Sequence, residues 1–199
     1  ASVYGDAIQE PMAEDHPFNN KNFYGATKIC GEAMLQAYAY RYNLNFVGLR
    51  YMNVYGPRQD YKGAYIAVMM RMLDAIDKGE GPTIFGDGSE AFDFVAVKDC
   101  AAANICAMKS NICDEFYNVG TGMKTSLAEL AEIILRLKES KLSINYADRS
   151  SATLVKNRVG DPKKAKKEIG FEAKIQLEEG LKRLIAWRDI DKKTYNDKF

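Results

Sequence analysis

Two side chains in this sequence could do chemistry together. Tyr24 and Lys28 stand four residues apart in Tyr24-Gly25-Ala26-Thr27-Lys28, at the start of a segment with helical periodicity, so both project from one face of the predicted helix. A free tyrosine, with a pKa of about 10, is a poor base at neutral pH. A fixed cation beside it favours the phenolate and makes removal of a proton from a hydroxyl feasible. The spacing alone is equally that of two ordinary helix-surface residues.

Other reactive groups point elsewhere or nowhere. His16 is the single histidine and stands beside Pro17, where a turn role is expected, so a hydrolase triad has no candidate. Cys30 lies near Lys28 but one turn into an apolar face, which predicts a core thiol rather than a nucleophile. The four cysteines, at 30, 100, 106 and 113, form no C-x-x-C pair, as expected of reduced and packed thiols rather than staples or zinc ligands. Lys163, Lys164, Lys166 and Lys167 read as a solvated helix face beside Glu168.

The elements that must position Tyr24 and Lys28 follow from periodicity. A long amphipathic helix is predicted over 24–42, with Ile29, Ala33, Met34, Ala37 and Tyr38 at helical spacing and Arg41 and Asn43 at its exit. Residues 45–50 read as a buried parallel strand ended by Tyr55-Gly56-Pro57, and 64–78 as a helix stopped by Gly79, Gly81 and Pro82. Strands at 83–85, 94–97, 115–119 and 142–146 alternate with helices at 98–108, 126–137, 162–168 and 177–187, with a polar connection through Ser150 and Ser151. Residues 1–5 read as the tail of a strand running into a turn. The alternation predicts an α/β fold with a mostly parallel sheet and a smaller mixed lobe.

Composition narrows the partners. The chain of 199 residues is 47% hydrophobic, and its 28 basic and 27 acidic residues leave a net charge of +1, so nucleic acid is not expected as a partner. No apolar run reaches the roughly 20 residues needed to cross a bilayer, and a cytoplasmic protein without membrane association is expected.

Four segments, Ser2-Val3-Tyr4-Gly5, Glu14-Asp15-His16-Pro17, Tyr24-Gly25-Ala26-Thr27-Lys28 and Leu49-Arg50-Tyr51-Met52-Asn53-Val54-Tyr55-Gly56-Pro57-Arg58, resemble in order and spacing the extended short-chain dehydrogenase/reductases that act on nucleotide sugars. Phe85-Gly86-Asp87-Gly88-Ser89, Asp93-Phe94-Val95, Tyr117-Asn118-Val119-Gly120 and the stretch from Lys164-Ala165 to Ile169-Gly170-Phe171 match later landmarks, so the similarity runs the length of the chain. The resemblance implies the C-terminal part of a Rossmann-type parallel sheet, about 1–62 and 94–122, with a smaller mixed α/β substrate-binding lobe, about 63–93 and 123–199.

It also implies roles. Tyr24 takes a proton from a sugar hydroxyl while the neighbouring carbon gives hydride to NAD, with NADP as the alternative, and Lys28 holds the nicotinamide ribose. Tyr51, Met52 and Asn53 lie against the nicotinamide, Asn53 and Ser2 border the nucleotide sugar, and Phe85 faces its base, where an aromatic ring can stack. The family's catalytic Ser or Thr and its Gly-rich dinucleotide turn have no counterpart in the chain, so the chain by itself is expected to be inactive. Phe92 stands where many relatives have a diphosphate-binding Arg, leaving Arg149 and Arg158 as candidates. The expected reaction is 4-epimerisation of a UDP-linked hexose by a homodimer joined through the helices after Tyr24 and Ala64. A dehydratase or reductase of the same family and a non-catalytic sugar-nucleotide binding or dimerisation module are the alternatives; Ala1-Ser2, in place of the Asp-Glu usual in dehydratases, argues against dehydration.

Overall fold

The computed structural model describes residues 1–62, 66–149 and 155–196. In chain order the elements are α1 (Phe23–Tyr42), β1 (Val47–Tyr51), β2 (Asn53–Tyr55), α2 (Val68–Asp77), β3 (Thr83–Phe85), β4 (Ala91–Phe92), β5 (Phe94–Ala96), α3 (Val97–Lys109), β6 (Glu115–Val119), β7 (Thr125–Ser126), α4 (Leu127–Leu137), β8 (Asn145–Ala147), β9 (Asn157–Arg158), α5 (Lys163–Ile169) and α6 (Leu177–Asn196). The expected α/β alternation and parallel pairing are both present: β1 pairs with β6, β3 with β8 and β4 with β9, each in parallel. Of the predicted elements, Ala64 and the connection through Ser150 and Ser151 lie outside the described residues.

The chain divides into two compact units. The first comprises 1–54, 91–124 and 153–174, the second 55–90, 125–152 and 175–199. Of the described residues, 155–174 group with the first unit and 55–62 with the second.

In the first unit, Tyr4, Met12, Met52, Val95, Tyr117, Val119 and Phe171 form the centre of a buried apolar cluster. Residues 1–5 form a turn and a single bridge from Gly5 to Asn19 instead of the expected strand tail. The α1 helix begins where the Asn22 side chain accepts the Gly25 N–H at 2.8 Å, and ends at Asn43, which takes the left-handed conformation with φ of 50°. Its expected amphipathic burial is not found. Gly25 is its one buried residue, Ile29, Glu32 and Ala39 are half-buried, and Cys30, expected in the core, is exposed. Apolar residues surround α1 on several sides, but the unit covers only the narrow stripe through Gly25, Ile29 and Glu32. The other cysteines grade from buried Cys100 through Cys106 to exposed Cys113, and all four are free thiols.

In the second unit, α2 buries Met69, Met70, Met72, Leu73 and Ile76, a helical repeat that makes these methionines core residues. The α4 helix starts with a reciprocal cap: Ser126 accepts the Glu129 N–H, and Glu129 accepts the Ser126 N–H at 2.7 Å. A partly buried ion cluster joins α2 to α6. Arg188 is fully buried and donates to Asp74 and, at 2.6 Å, to Asp77, while Lys192 reaches both acids at 3.0 Å. Tyr61 closes the cluster, its ring in edge contact with Trp187 and its hydroxyl on Asp191.

Burial raises the Asp77 pKa, but hydrogen bonds from Arg188 and Lys192 outweigh that and hold it down at about 2. A carboxyl whose folded pKa is depressed stabilises the fold above its unfolded pKa and loses that contribution as pH falls through the folded value. Trp187, the single tryptophan, reports on this unit. Its fluorescence-detected unfolding midpoint is expected to fall between pH 5 and pH 2, with about 1 kcal/mol attributable to Asp77 after allowance for solvent screening. The Asp77→Asn variant should be less stable at neutral pH and show a flatter acid limb; an unchanged limb would remove Asp77 from the account.

Candidate active site

The first turn of α1 brings Tyr24 and Lys28 together as their spacing predicts: the Lys28 Nζ lies 5.1 Å from the centre of the Tyr24 ring. Both side chains face solvent, and Tyr24 is 63% exposed. They share the wall of a cleft of about 580 Å³ with Ser2, with Tyr51, Met52 and Asn53, and with Arg158. Seven of the nine candidate residues therefore border one cavity within the first unit. Phe85 and Arg149 belong to the second unit, where Arg149 donates to the Phe85 carbonyl and forms an ion pair with Glu90.

Each wall has a local cause. Gly25 lets α1 approach the first residues, since a Cβ there would stand 2.6 Å from the Ser2 carbonyl oxygen and 2.1 Å from Asn20 Oδ1. The Met52–Asn53 step is held on both sides: Met52 N–H donates to the Val119 carbonyl and Asn53 N–H to that of Asp93, both at 2.9 Å. Asp93 is fully buried and accepts from the Thr121 N–H, the Thr121 hydroxyl and the Gly122 N–H at 2.7 to 3.0 Å. Burial pushes its pKa up in spite of those donors.

Arg158 reaches the cleft from β9, where it stands in register with Phe92 of β4. The phenyl that replaces the expected guanidinium thus has a guanidinium beside it on the neighbouring strand. Arg158 Nε and Nη2 reach the Gly5 carbonyl at 3.4 Å, and among the described residues it has no ion-pair partner. Burial lowers its pKa, opposed by Asp6 and Tyr24, but a guanidinium stays charged, so the cleft holds a poorly hydrated cation suited to an anion.

The sequence reading passed over two residues of this region. Asp93 was noted only as part of a landmark, and Arg50 only as part of a motif; a charged residue inside the apolar run Phe46, Val47 and Leu49 was the available signal. The readings of His16 and of the lysine run agree with the contacts. His16 is buried, accepting the Ile8 N–H at 3.0 Å and donating to the Pro17 carbonyl at 2.8 Å, while Lys163, Lys164 and Lys166 pair with Asp161, Glu115 and Glu172. Among the described residues no group of acids, cysteines and histidines could hold a metal, and no helix is long and apolar enough to cross a membrane.

The family model described as the NAD dependent epimerase/dehydratase family matches residues 1–120. The chain belongs to that family. It is 33% identical to the UDP-glucose 4-epimerase of Mycolicibacterium smegmatis, over 94% of the chain and 59% of that protein. Two solved structures superpose with a TM-score of 0.89 each: the UDP-N-acetylglucosamine 4-epimerase of Methanobrevibacter ruminantium in complex with UDP-N-acetylmuramic acid, at 33% identity, and the UDP-glucose 4-epimerase of Thermotoga maritima with UDP-glucose, at 32%. Each of these two alignments covers 96% of the chain and 61% of the other protein, so the chain spans about three fifths of the length of its relatives.

Within this family member, the acceptor-only carboxylate of Asp93 faces three donors. Its replacement by Asn turns an amide NH2 toward them, and Asp93→Asn is expected to lower stability by about 2 kcal/mol. Denaturant unfolding measures it, and a midpoint within error of the parent chain would show that the carboxylate does not hold this loop.

Proposed function

We propose that the chain carries the catalytic wall of a nucleotide-sugar epimerase acting on a UDP-linked hexose at C4, and that NAD is its cofactor in the complete enzyme. The observation that carries this reading is the Tyr24–Lys28 pair on a cleft shared with Asn53 and with the cationic Arg158. The cleft fits the cofactor in one testable respect: Lys28 has no carboxylate partner among the described residues, so its three donors are available to ribose hydroxyls. Tyr24, Lys28 and the turn Tyr51, Met52 and Asn53 would hold the nicotinamide end. When bound, NAD supplies reversible acceptance of hydride at the sugar carbon.

The chain's own residues do the rest. Tyr24, as its phenolate, takes the proton of the sugar hydroxyl and as the phenol returns it, and the Lys28 charge lowers the cost of forming that phenolate. Arg158 neutralises the diphosphate in the place left by Phe92. Ser2 and Asn53 bound the sugar, and Phe85, its strand fixed by Arg149, offers a 54% exposed ring for the base. The chain spans three fifths of its relatives' length, and we assign turnover to the complete enzyme rather than to these residues alone. A homodimer is proposed through α1, whose Met34, Leu35 and Tyr38 are exposed.

In the complete enzyme, Tyr24→Phe is expected to slow interconversion of UDP-glucose and UDP-galactose by about 10²- to 10⁴-fold while nucleotide-sugar binding persists. Turnover within threefold of the parent would overturn the reading. Replacing Arg158 with Met should raise KM by about tenfold or more, as expected for a lost charge-assisted contact. Arg149→Ala should act more weakly, through Phe85. Steady-state kinetics separates the two, and an unchanged KM in the Arg158 variant would place the diphosphate elsewhere.

A further inference from the structure

Lys28 and Glu32 stand four residues apart on α1, the spacing at which an ammonium and a carboxylate ordinarily meet on a helix surface. Such a pair would neutralise the one cation on this helix that faces Tyr24. The structure shows a different partner for the acid. Arg50 Nε donates to Glu32 Oε1 and Arg50 Nη2 to Oε2, both at 2.8 Å, a two-pronged contact that occupies both carboxylate oxygens. The guanidinium is itself fixed, since its Nη1 donates at 2.8 Å to the Tyr4 hydroxyl and to the Glu14 carbonyl. The rings of Tyr4, Phe18 and Phe116 lie 5.0, 5.5 and 5.0 Å from its centre. Freed of the carboxylate, the Lys28 ammonium lies over the Tyr24 ring.

We propose that Arg50 and Glu32 are positioning residues for the Tyr24–Lys28 pair: by holding both oxygens of Glu32, Arg50 keeps Lys28 uncompensated and aimed at the phenol. The proposal rests on the functional reading of Tyr24 and Lys28 given above. It gives Glu32 two duties. It fixes α1 against β1 through a half-buried ion pair, and it is kept from discharging the lysine one turn earlier. Other charged or titratable groups around the cleft are the Tyr51 phenol from β1 and Arg158 from β9 with Asp6 acting on it; none of these is an acid within one helical turn of Lys28.

The test compares Arg50→Met with the double variant Arg50→Met/Glu32→Gln in the complete enzyme. Arg50→Met releases a charged Glu32 toward Lys28, so the Lys28 titration, followed by ¹³Cε NMR, and the alkaline rise of kcat are expected to move up by about half a pH unit. The double variant has the same net charge as the parent, and both titrations should return to the parent values although the packing around residue 50 remains altered. Coincident profiles in the two variants would assign Arg50 a merely structural role and overturn the proposal. Should Arg50→Met fail to fold, NMR of the unmutated protein decides: no hydrogen bond from the Lys28 ammonium to the Glu32 carboxylate is expected, and detection of one overturns the proposal. Absence of nucleotide-sugar turnover in the parent enzyme would instead count against the functional reading, while the Lys28 titration still tests the pairing.

Discussion

The first unit is organised around one buried guanidinium. Removing a charge from water is costly unless it is paired and hydrogen-bonded, and Arg50 meets that requirement with four hydrogen bonds to three residues from separate places in the sequence: Tyr4, Glu14 and Glu32. Each partner is then constrained in turn. The Tyr4 hydroxyl donates to Asn118 Oδ1 at 2.7 Å, and the Asn118 N–H donates to Glu14 Oε1 at 2.7 Å, so β6 is bound into the same circuit. Burial pushes the Tyr4 phenol up to about 12 even though Arg50 acts against it, so Tyr4 remains a neutral donor at any physiological pH. The turn bearing Ser2, the helix bearing Tyr24 and Lys28, and the strand leading into Asn53 are therefore registered to one another by a group that itself lines their shared cleft.

The second unit buries a guanidinium with a different charge balance and leaves its Nε without a hydrogen-bond partner among the described residues. Arg188 is as thoroughly buried, but its partners Asp74 and Asp77 both lie on α2 and are shared with Lys192. With Lys138 at the end of α4 also on Asp77, at 3.2 Å, two acids and three bases form a clamp among neighbouring helices. Arg50, by contrast, draws together segments from the beginning, the middle and, through Asn118, the later part of its unit. A clamp resists separation of two elements; a circuit fixes the relative rotation of several, and rotation is what decides where a side chain on a helix points.

This difference explains what the sequence could and could not disclose. The Tyr24–Lys28 pair is local, set by 3.6-residue periodicity, and could be placed on one helix face from spacing alone. The strands at 83–85 and 115–119 were equally legible because turn residues bound them. What failed was any statement about which face is covered. Ile29 and Cys30 are adjacent in an apolar helix, yet one packs on the core and the other faces solvent, because burial depends on elements distant in sequence. Arg158 and Phe92 are 66 positions apart and become neighbours only through the parallel register of β4 and β9, which no spacing rule reports.

That register also bears on how a cleft of this kind tolerates change. On paired parallel strands, two residues in register present side chains to the same surface, so a cation on either strand reaches it without moving the backbone. The Phe92 ring lies 6.3 Å from that of Phe94, and Arg158 stands in register beside it. The wall of the cleft thus depends less on the identity of any single strand residue than on the Asp93 bonds that hold β9, β4 and the Asn53 turn in one plane of contact. Asp93 accepts through its carboxylate from the loop after β6 while its own N–H donates to the Arg158 carbonyl at 3.0 Å. The Asp93 bonds are the framework on which the Arg158 charge stands.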